Sequence, residues 1–225
     1  MKKITGKFQY LLFDLDGTLT DPKLGITSCV QYALRKFGID EPDLDKLEPF
    51  IGPPLSDSFR EFYGFNEQQA LEGVAAYRER FTDIGIFENE VYPGIGQMLA
   101  HLQKAGKKLA VASSKPTVYV KRILEHFGLE EYFDVVVGSE LNNTRTKKEE
   151  VIEEALRQLY QGEKRDNDRT VMIGDRKYDI SGAKLSGLVS VGVSYGYALP
   201  GELEETGADY IADTVSQLEK ILLTE

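Results

Sequence analysis

The chain has 225 residues, of which 41% are apolar and 28% are charged, and its formal net charge is −10. Such a composition is typical of a globular protein with a sizeable core, and the acidic excess argues against nucleic acid or an anionic membrane as a partner. The single cysteine, Cys29, excludes an intrachain disulfide, and no run of 18 apolar residues could cross a membrane. Carboxylates would have to bind any metal, which favours a hard ion such as Mg²⁺.

Strand and helix patterns alternate over most of the chain. Short apolar runs predict buried parallel strands at 8–14, 108–113, 133–138, 170–175, 188–193 and, more weakly, 208–212. Helical patterns are found at 93–106, 116–128, 147–160, after Asp175 and at 215–223. The first two of these helices are expected to carry a proline at their first position. The alternation predicts an α/β fold, a doubly wound parallel sheet with helices on both faces.

The segment 21–91 interrupts this alternation, because it contains no strong strand signal. Helices are predicted near 22–37, 54–63 and 66–84, and Asn66 followed by Gln69 forms a capping-box pattern at the start of the third. We therefore expect an all-helical domain at 21–91, inserted into a core formed by 1–20 and 92–225.

Two acidic residues, Asp14 and Asp16, directly follow the first predicted strand. Open α/β sheets bind ligands beyond the carboxyl ends of their strands, and Gly17 allows the chain to turn there. The alternative is that both acids only solvate a strand end. Burying two like charges beside an apolar strand is costly without a cation, which favours a binding site.

At this point the sequence resembles the haloacid dehalogenase-like phosphatases. The family's first motif, a strand followed by Asp-x-Asp-Gly-Thr, matches Asp14 to Thr18. Its other motifs occur in the family's order, as a serine ending a strand, a lysine opening a helix and an acidic pair after a later strand: Ser113, Lys148 or Lys147, and Asp175 with Asp179.

The resemblance implies a division of labour among these residues. Asp14 would attack phosphorus and form an aspartyl phosphate, while Asp16 would protonate the leaving oxygen and later activate water. Ser113 would donate a hydrogen bond to the phosphoryl group, and Lys148 would balance its charge; a helix cap is the alternative for Ser113.

The resemblance also implies an Mg²⁺ site. Its ligands would be the Asp14 carboxylate, the Asp16 backbone carbonyl and Asp175, with water completing an octahedron. Asp179 would orient a water or the lysine. The alternative for Asp175 and Asp179 is that they are acids favoured at a helix N-terminus, and both roles are compatible.

The choice between the two lysines rests on the segment Thr146-Lys147-Lys148-Glu149. This pattern predicts Thr146 as the N-cap and Glu149 at the third helical position, with both lysines in the first turn. Because a cation is unfavourable there, we expect one lysine to face an anion. Lys148 better matches a variant of the family's third motif, a lysine followed by x-acid-Val-Ile, and Lys147 is the alternative.

The insertion lies where the family has its type-one helical cap, and hinges are expected near 19–22 and 85–92. The segment Phe50 to Leu55 resembles the specificity loop of phosphoglycolate-phosphatase-like members. The candidates for substrate selection are Gly52, Pro53, Leu55 and Arg60. The alternative for Gly52, Pro53 and Leu55 is a plain connection between two helices, and the alternative for Arg60 is a solvated helix face.

Together these features predict a Mg²⁺-dependent phosphatase acting on a small phosphorylated metabolite, resembling phosphoglycolate phosphatases and 5′-nucleotidase-like members. A sugar phosphomutase of the β-phosphoglucomutase kind and a pyrophosphatase are the alternatives, although the loop lacks the arginine that mutases place there. A binding protein on an inactive phosphatase fold is disfavoured because no motif is missing. The N-terminus resembles no secretory signal, so we expect a cytoplasmic monomer or homodimer that binds neither nucleic acid polymer nor membrane.

Overall fold

The computed structural model describes residues 8–142 and 144–224. In chain order the strands are β1 (Tyr10–Phe13), β2 (Thr20–Asp21), β3 (Glu90–Val91), β4 (Lys108–Pro116), β5 (Val135–Ser139), β6 (Thr170–Gly174), β7 (Val189–Val193) and β8 (Tyr210–Ala212). The α-helices are α1 (Lys23–Lys36), α2 (Leu55–Tyr63), α3 (Glu67–Phe81), α4 (Ile95–Lys104), α5 (Thr117–His126), α6 (Lys148–Tyr160), α7 (Lys177–Leu185), α8 (Glu202–Thr206) and α9 (Val215–Leu223).

Six strands form one parallel sheet in the order β5-β4-β1-β6-β7-β8. β1 lies at its centre, where Phe13 pairs with Val111 on one side and Ile173 on the other. Leu12 belongs to a buried cluster with residues of α6 and α7, whereas Leu11 and Phe13 point the other way and are also fully buried. The sheet is therefore covered on both faces, and the predicted doubly wound parallel fold is confirmed.

Two helices start later than their prolines predict. Pro93 precedes α4 by two residues, because Gly94 at φ +92° lies between them. Pro116 has an extended backbone at the end of β4 and caps α5 rather than opening it. The expectation of a proline at the first helical position was wrong for both helices.

The chain forms two compact units. The first consists of two stretches of the chain, one ending at Leu19 and one beginning at Val91, and the second is Thr20–Glu90. Residues 1–7, which the sequence assigns to the core, lie outside the described residues. The second unit contains α1, α2 and α3, as well as a 3-10 segment at Leu44–Phe50. The short strands β2 and β3, absent from the sequence expectation, lie at its two ends and pair with each other.

The second unit has an aromatic core. Phe50 packs edge-on against Phe59, which stacks on Phe65. The predicted capping box at α3 is confirmed: the Gln69 N–H donates to Asn66 Oδ1 (2.9 Å), and the Asn66 N–H donates to Gln69 Oε1 (3.0 Å). Within the described residues of both units, no helix has the length and apolar character that a membrane crossing requires.

Candidate active site

The first acidic motif forms a buried turn at the carboxyl end of β1. Asp14 follows the strand, and its N–H donates to the Ile173 carbonyl of β6 (2.9 Å). Asp14 is 5% exposed and Asp16 7%, so both acids are inside the protein. Gly17 has φ +78°, and a Cβ there would overlap the Asp175 carboxylate. A glycine is therefore required both by the turn and by the neighbouring acid.

Three buried carboxylates converge at this edge of the sheet. Oxygen atoms of Asp14, Asp175 and Asp179 lie within 4.8 Å of one another. Asp175 follows β6, and Asp179 lies in the first turn of α7, where its Oδ2 accepts from the Arg176 N–H (3.0 Å). Burial raises the pKa of Asp175 well above its ordinary value and raises that of Asp179 to about 6.

Lys148 is the cation inside this cluster. Its Nζ lies 3.0 Å from Asp14 Oδ1 and 2.7 Å from Asp179 Oδ1, and it donates to the Ala112 carbonyl (3.1 Å). Burial by itself would lower the pKa of Lys148, but the attraction of Asp14 and Asp179 outweighs it and raises the pKa. The ammonium therefore stays charged and compensates part of the buried negative charge.

The start of α6 corrects the predicted cap. Lys147, not Thr146, is the N-cap, and Glu150 rather than Glu149 accepts from its N–H (3.3 Å). Lys148 is consequently the first helical residue and is buried, whereas Lys147 is exposed. We attribute the one-residue shift to the ion pairs of Lys148 with Asp14 and Asp179, which a local capping pattern cannot anticipate.

The carboxylate cluster fits a hard cation. Asp175 is 1% exposed, and its Oδ2 accepts from the Tyr197 N–H (2.7 Å), but its Oδ1 has no hydrogen-bond partner in the described part of the chain. A buried carboxylate oxygen without a donor is costly, and a divalent cation would satisfy it. The three converging carboxylates are Asp14, Asp175 and Asp179, and the side chain of Asp16 is directed elsewhere.

Asp16 pairs with Lys115, a residue that the sequence analysis did not select. Lys115 Nζ lies 2.8 Å from both carboxylate oxygens of Asp16. Burial raises the pKa of Asp16, while Lys115 opposes this shift. Lys115 lies two residues after Ser113, at the end of β4, the strand that pairs with β1. Its closeness to Ser113 in the sequence could have identified it as a site residue.

Ser113 lies where the second motif predicts, at the carboxyl end of β4. It is 2% exposed, and its hydroxyl accepts weakly from the Lys115 N–H (3.4 Å). Because β4 pairs with β1, the serine and Asp14 leave the sheet at the same edge.

The loop after β7 also reaches the site. Tyr195 donates its hydroxyl to the Thr18 carbonyl (3.0 Å), and Gly196 lies so close to Gly17 and Asp175 that a side chain would overlap them. A buried ion pair between Arg176 and Glu202 (3.0 Å) holds the end of this loop beside α7. The sequence pattern did not reveal these loop contacts, because they join residues far apart in the chain.

The candidate specificity residues lie in the second unit. Gly52 has φ +106° and, with Pro53, forms the connection into α2, which begins at Leu55. Gly52, Pro53 and Leu55 are half-buried, whereas Arg60 is exposed on α2. No contact within this unit marks them as a binding site.

Comparison with known proteins agrees with this geometry. The family described as haloacid dehalogenase-like hydrolase matches residues 11–193. A 5′-nucleotidase from Pseudomonas aeruginosa is 44% identical over 222 residues, covering 99% of each chain. The tyrosine-protein kinase PtkA of Mycobacterium tuberculosis is 38% identical over 95% of this chain and 72% of its own.

Among solved structures, a predicted phosphatase from Clostridium acetobutylicum superposes with a TM-score of 0.93 and 47% identity, covering 98% of this chain and all of that one. The family is generally metal-dependent, and the aspartate cluster is able to hold a metal. Because the family model spans most of the sequence and these relatives cover nearly all of it, the chain belongs to the haloacid dehalogenase-like hydrolase family and is a phosphatase.

Proposed function

We propose that this protein is a Mg²⁺-dependent phosphomonoesterase that cleaves small phosphorylated metabolites through an aspartyl phosphate on Asp14. The observation that carries the proposal is the buried group in which Lys148 bridges Asp14 and Asp179 beside the unsatisfied oxygen of Asp175. Such a concentration of buried charge is unfavourable for a structural core and useful for transferring a phosphoryl group.

Asp14 is the proposed nucleophile. It directly follows the central strand, which pairs with β4 and β6, and its own N–H donates to the Ile173 carbonyl of β6 (2.9 Å). Attack of one Asp14 oxygen on phosphorus expels the alcohol oxygen of the substrate, and water then displaces Asp14 from phosphorus. Lys148 lies 3.0 Å from Asp14 and compensates negative charge as the phosphoryl group is transferred.

Asp16 is the proposed acid and base. Unlike Asp14, it has its own counterion, Lys115, and its carboxylate is separate from the three-carboxylate cluster. Asp16 would give a proton to the leaving oxygen in the first step and take one from water in the second. Ser113, at the neighbouring strand end, would donate a hydrogen bond to a phosphoryl oxygen.

The carboxylates of Asp14 and Asp175 would hold Mg²⁺, together with the backbone carbonyl of Asp16. When bound, the ion would neutralise charge on the phosphoryl oxygens. Asp179 would keep Lys148 in place, since their 2.7 Å ion pair is the shorter of the two that the lysine makes.

The proposed substrates are small phosphate monoesters of the nucleoside monophosphate or phosphoglycolate type. The similarity to a 5′-nucleotidase over the full length supports the first, and the resemblance of the Phe50–Leu55 segment to a specificity loop supports the second. The helical unit, as a cap, would select among them. We further propose that the protein acts in the cytoplasm as a monomer or homodimer.

Release of inorganic phosphate from a panel of substrates tests the reaction. The panel contains nucleoside monophosphates, phosphoglycolate, sugar phosphates and pyrophosphate, each assayed with Mg²⁺, with EDTA and with Ca²⁺. We expect monoester hydrolysis that EDTA abolishes and Mg²⁺ restores, with little turnover in Ca²⁺ because it tolerates looser geometry. Full activity after removal of metal would contradict the proposed carboxylate site.

Chemical trapping tests the covalent intermediate. An enzyme quenched during turnover and reduced with borohydride should contain homoserine at position 14, because reduction of an aspartyl phosphate gives that product. The matched control is Asp14→Asn under the same treatment, which should show no modification. Labelling at any other aspartate would refute the assignment of the nucleophile.

A further inference from the structure

Asp16 and Lys115 form an ion pair that is closed off from solvent. The Lys115 side chain is 7% exposed and that of Asp16 is 10% exposed, and the ammonium lies 2.8 Å from each carboxylate oxygen. Equal distances to both oxygens fix the rotation of the carboxyl group as well as its position.

The backbone that carries Lys115 is irregular at this point. The pairing of β4 with β5 shifts between Ala112 and Pro116, so the register is broken around Lys115. The Lys115 N–H turns toward the Ser113 hydroxyl (3.4 Å). The lysine therefore comes from the same strand end as the proposed phosphoryl-binding serine.

Two neighbouring aspartates each form an ion pair with a different lysine. Asp14 pairs with Lys148, and Asp16, only two residues away, pairs with Lys115. Asp14 repels Asp16 and Lys148 attracts it, so both also act on the Asp16 carboxylate. Without Lys115, these forces would draw Asp16 toward the lysine that serves the nucleophile.

We propose that Lys115 is a positioning residue that holds Asp16 on the leaving-group side of the reaction, apart from Asp14 and Lys148. This inference rests on the proposed function, in which Asp16 protonates the leaving oxygen. Lys115 acts through Asp16 and does not itself bind the transferring phosphoryl group.

The dependence of the rate on the leaving group distinguishes this role from a structural one. A p-nitrophenolate ion leaves without help, whereas the alkoxide of an alkyl phosphate requires protonation. In Lys115→Met, kcat/KM, which reports the step that phosphorylates Asp14, should fall by at least about tenfold more for an alkyl phosphate, such as glycerol phosphate, than for p-nitrophenyl phosphate. Positioned acids typically contribute about 10²–10⁴-fold, which leaves room for that difference.

Three further variants complete the experiment. Lys115→Arg keeps the cation and should recover most of the alkyl phosphate rate. Lys115→Gln removes the charge but keeps a polar side chain, so it tests the same loss if the Met variant does not fold, and it should not recover the rate. Lys108→Met is the matched control, because Lys108 lies on the same strand and pairs with Asp134 at 2.7 Å on the surface. It should leave both substrates unchanged.

A double mutant locates the effect. Asp16→Asn should show the same preference for p-nitrophenyl phosphate, and adding Lys115→Met to it should cost less than about twofold more, because both changes remove one function. Additive losses, or equal losses of kcat/KM on both substrates, would overturn the inference and place Lys115 on the phosphoryl group.

The same data separate the two proposals. If Asp16→Asn itself shows no dependence on the leaving group, the proposed acid is wrong, and the role of Lys115 is overturned with it. If Asp16→Asn shows the dependence but Lys115→Gln and Lys115→Met do not, the proposed function stands and only the positioning role is refuted.

Discussion

The two units of this molecule differ in the burial of their charged side chains. Within the described residues, every charged side chain that is fully buried belongs to the first unit, and several of them meet at the carboxyl edge of its sheet. The second unit, which is described in full, has no buried charged residue, and its two-pronged ion pair between Arg80 and Glu88 (2.6 Å) is half-buried. Buried charge is expensive, so its distribution indicates where the chemistry is performed.

We therefore expect the two units to have different tasks, and substitutions in each unit can test this expectation. Changes at the buried charges of the first unit should alter the reaction on every substrate. Changes on the second unit should alter the choice among substrates and leave the basic reaction intact.

The largest effect is expected for Asp14→Asn. Turnover should fall by about 10⁴-fold or more on every substrate, because the attacking carboxylate is lost while its shape remains. The fold should survive, since one of several mutually repelling carboxylates is removed and Lys148 keeps its 2.7 Å pair with Asp179. Steady-state kinetics and thermal unfolding measure the two outcomes; turnover within about tenfold of wild type would refute the assignment.

The second-largest effect on turnover is expected for Lys148, and it distinguishes this lysine from the adjacent Lys147. Lys148→Ala should lower turnover at least about 100-fold, because the charge beside the proposed nucleophile is lost. Lys147→Ala is the matched control: this side chain is exposed at the helix start, and its loss should change turnover by no more than a few-fold. The reverse pattern would transfer the role to Lys147.

A smaller effect concerns metal and pH. Burial raises the pKa of Asp179 from 3.8 to about 6, so the folded metal-free protein binds its proton more tightly than the unfolded chain does. This contribution to stability is complete below the ordinary pKa and is lost as the pH rises through about 6. A divalent cation favours the ionised cluster, and Mg²⁺ should therefore raise Tm by several degrees at pH 8 and by less at pH 5.

Thermal unfolding with and without Mg²⁺ at the two pH values measures this shift. Asp175→Asn is the control, because it removes the oxygen that has no partner in the described structure. A shift that is equal at both pH values, or that persists in the variant, would contradict a cation site at these carboxylates.

The smallest effect on chemistry is expected in the second unit. Leu55→Ala and Arg60→Ala should reorder a panel of substrates by several-fold while changing p-nitrophenyl phosphate turnover by less than about twofold. Arg35→Ala is the matched control, since this exposed arginine on α1 pairs only with surface Asp40 at 3.4 Å in the ion pairs described. An unchanged ranking would remove the Gly52–Leu55 connection as a determinant of selectivity.

The predictions from sequence were most accurate where the signal was local. All six strands of the core sheet and the three helices of the insertion lie within a few residues of their predicted positions, because apolar periodicity follows directly from burial. The capping box at Asn66 was also correct, since both of its hydrogen bonds join residues three apart.

The sequence by itself determined the family, the parallel sheet and the positions of Asp14, Asp16, Ser113 and Asp175 at its strand ends. Only the tertiary structure decided which cation serves which acid: Lys148 opens α6 one residue later than its capping pattern predicts, and Lys115 closes on Asp16 from a strand 99 residues away. The physical reason is that propensity and capping act over a few residues, whereas the pairing of buried charges depends on which strand ends the sheet brings together. That pairing also sets the proposed roles of the two acids, which share a motif but have different counterions.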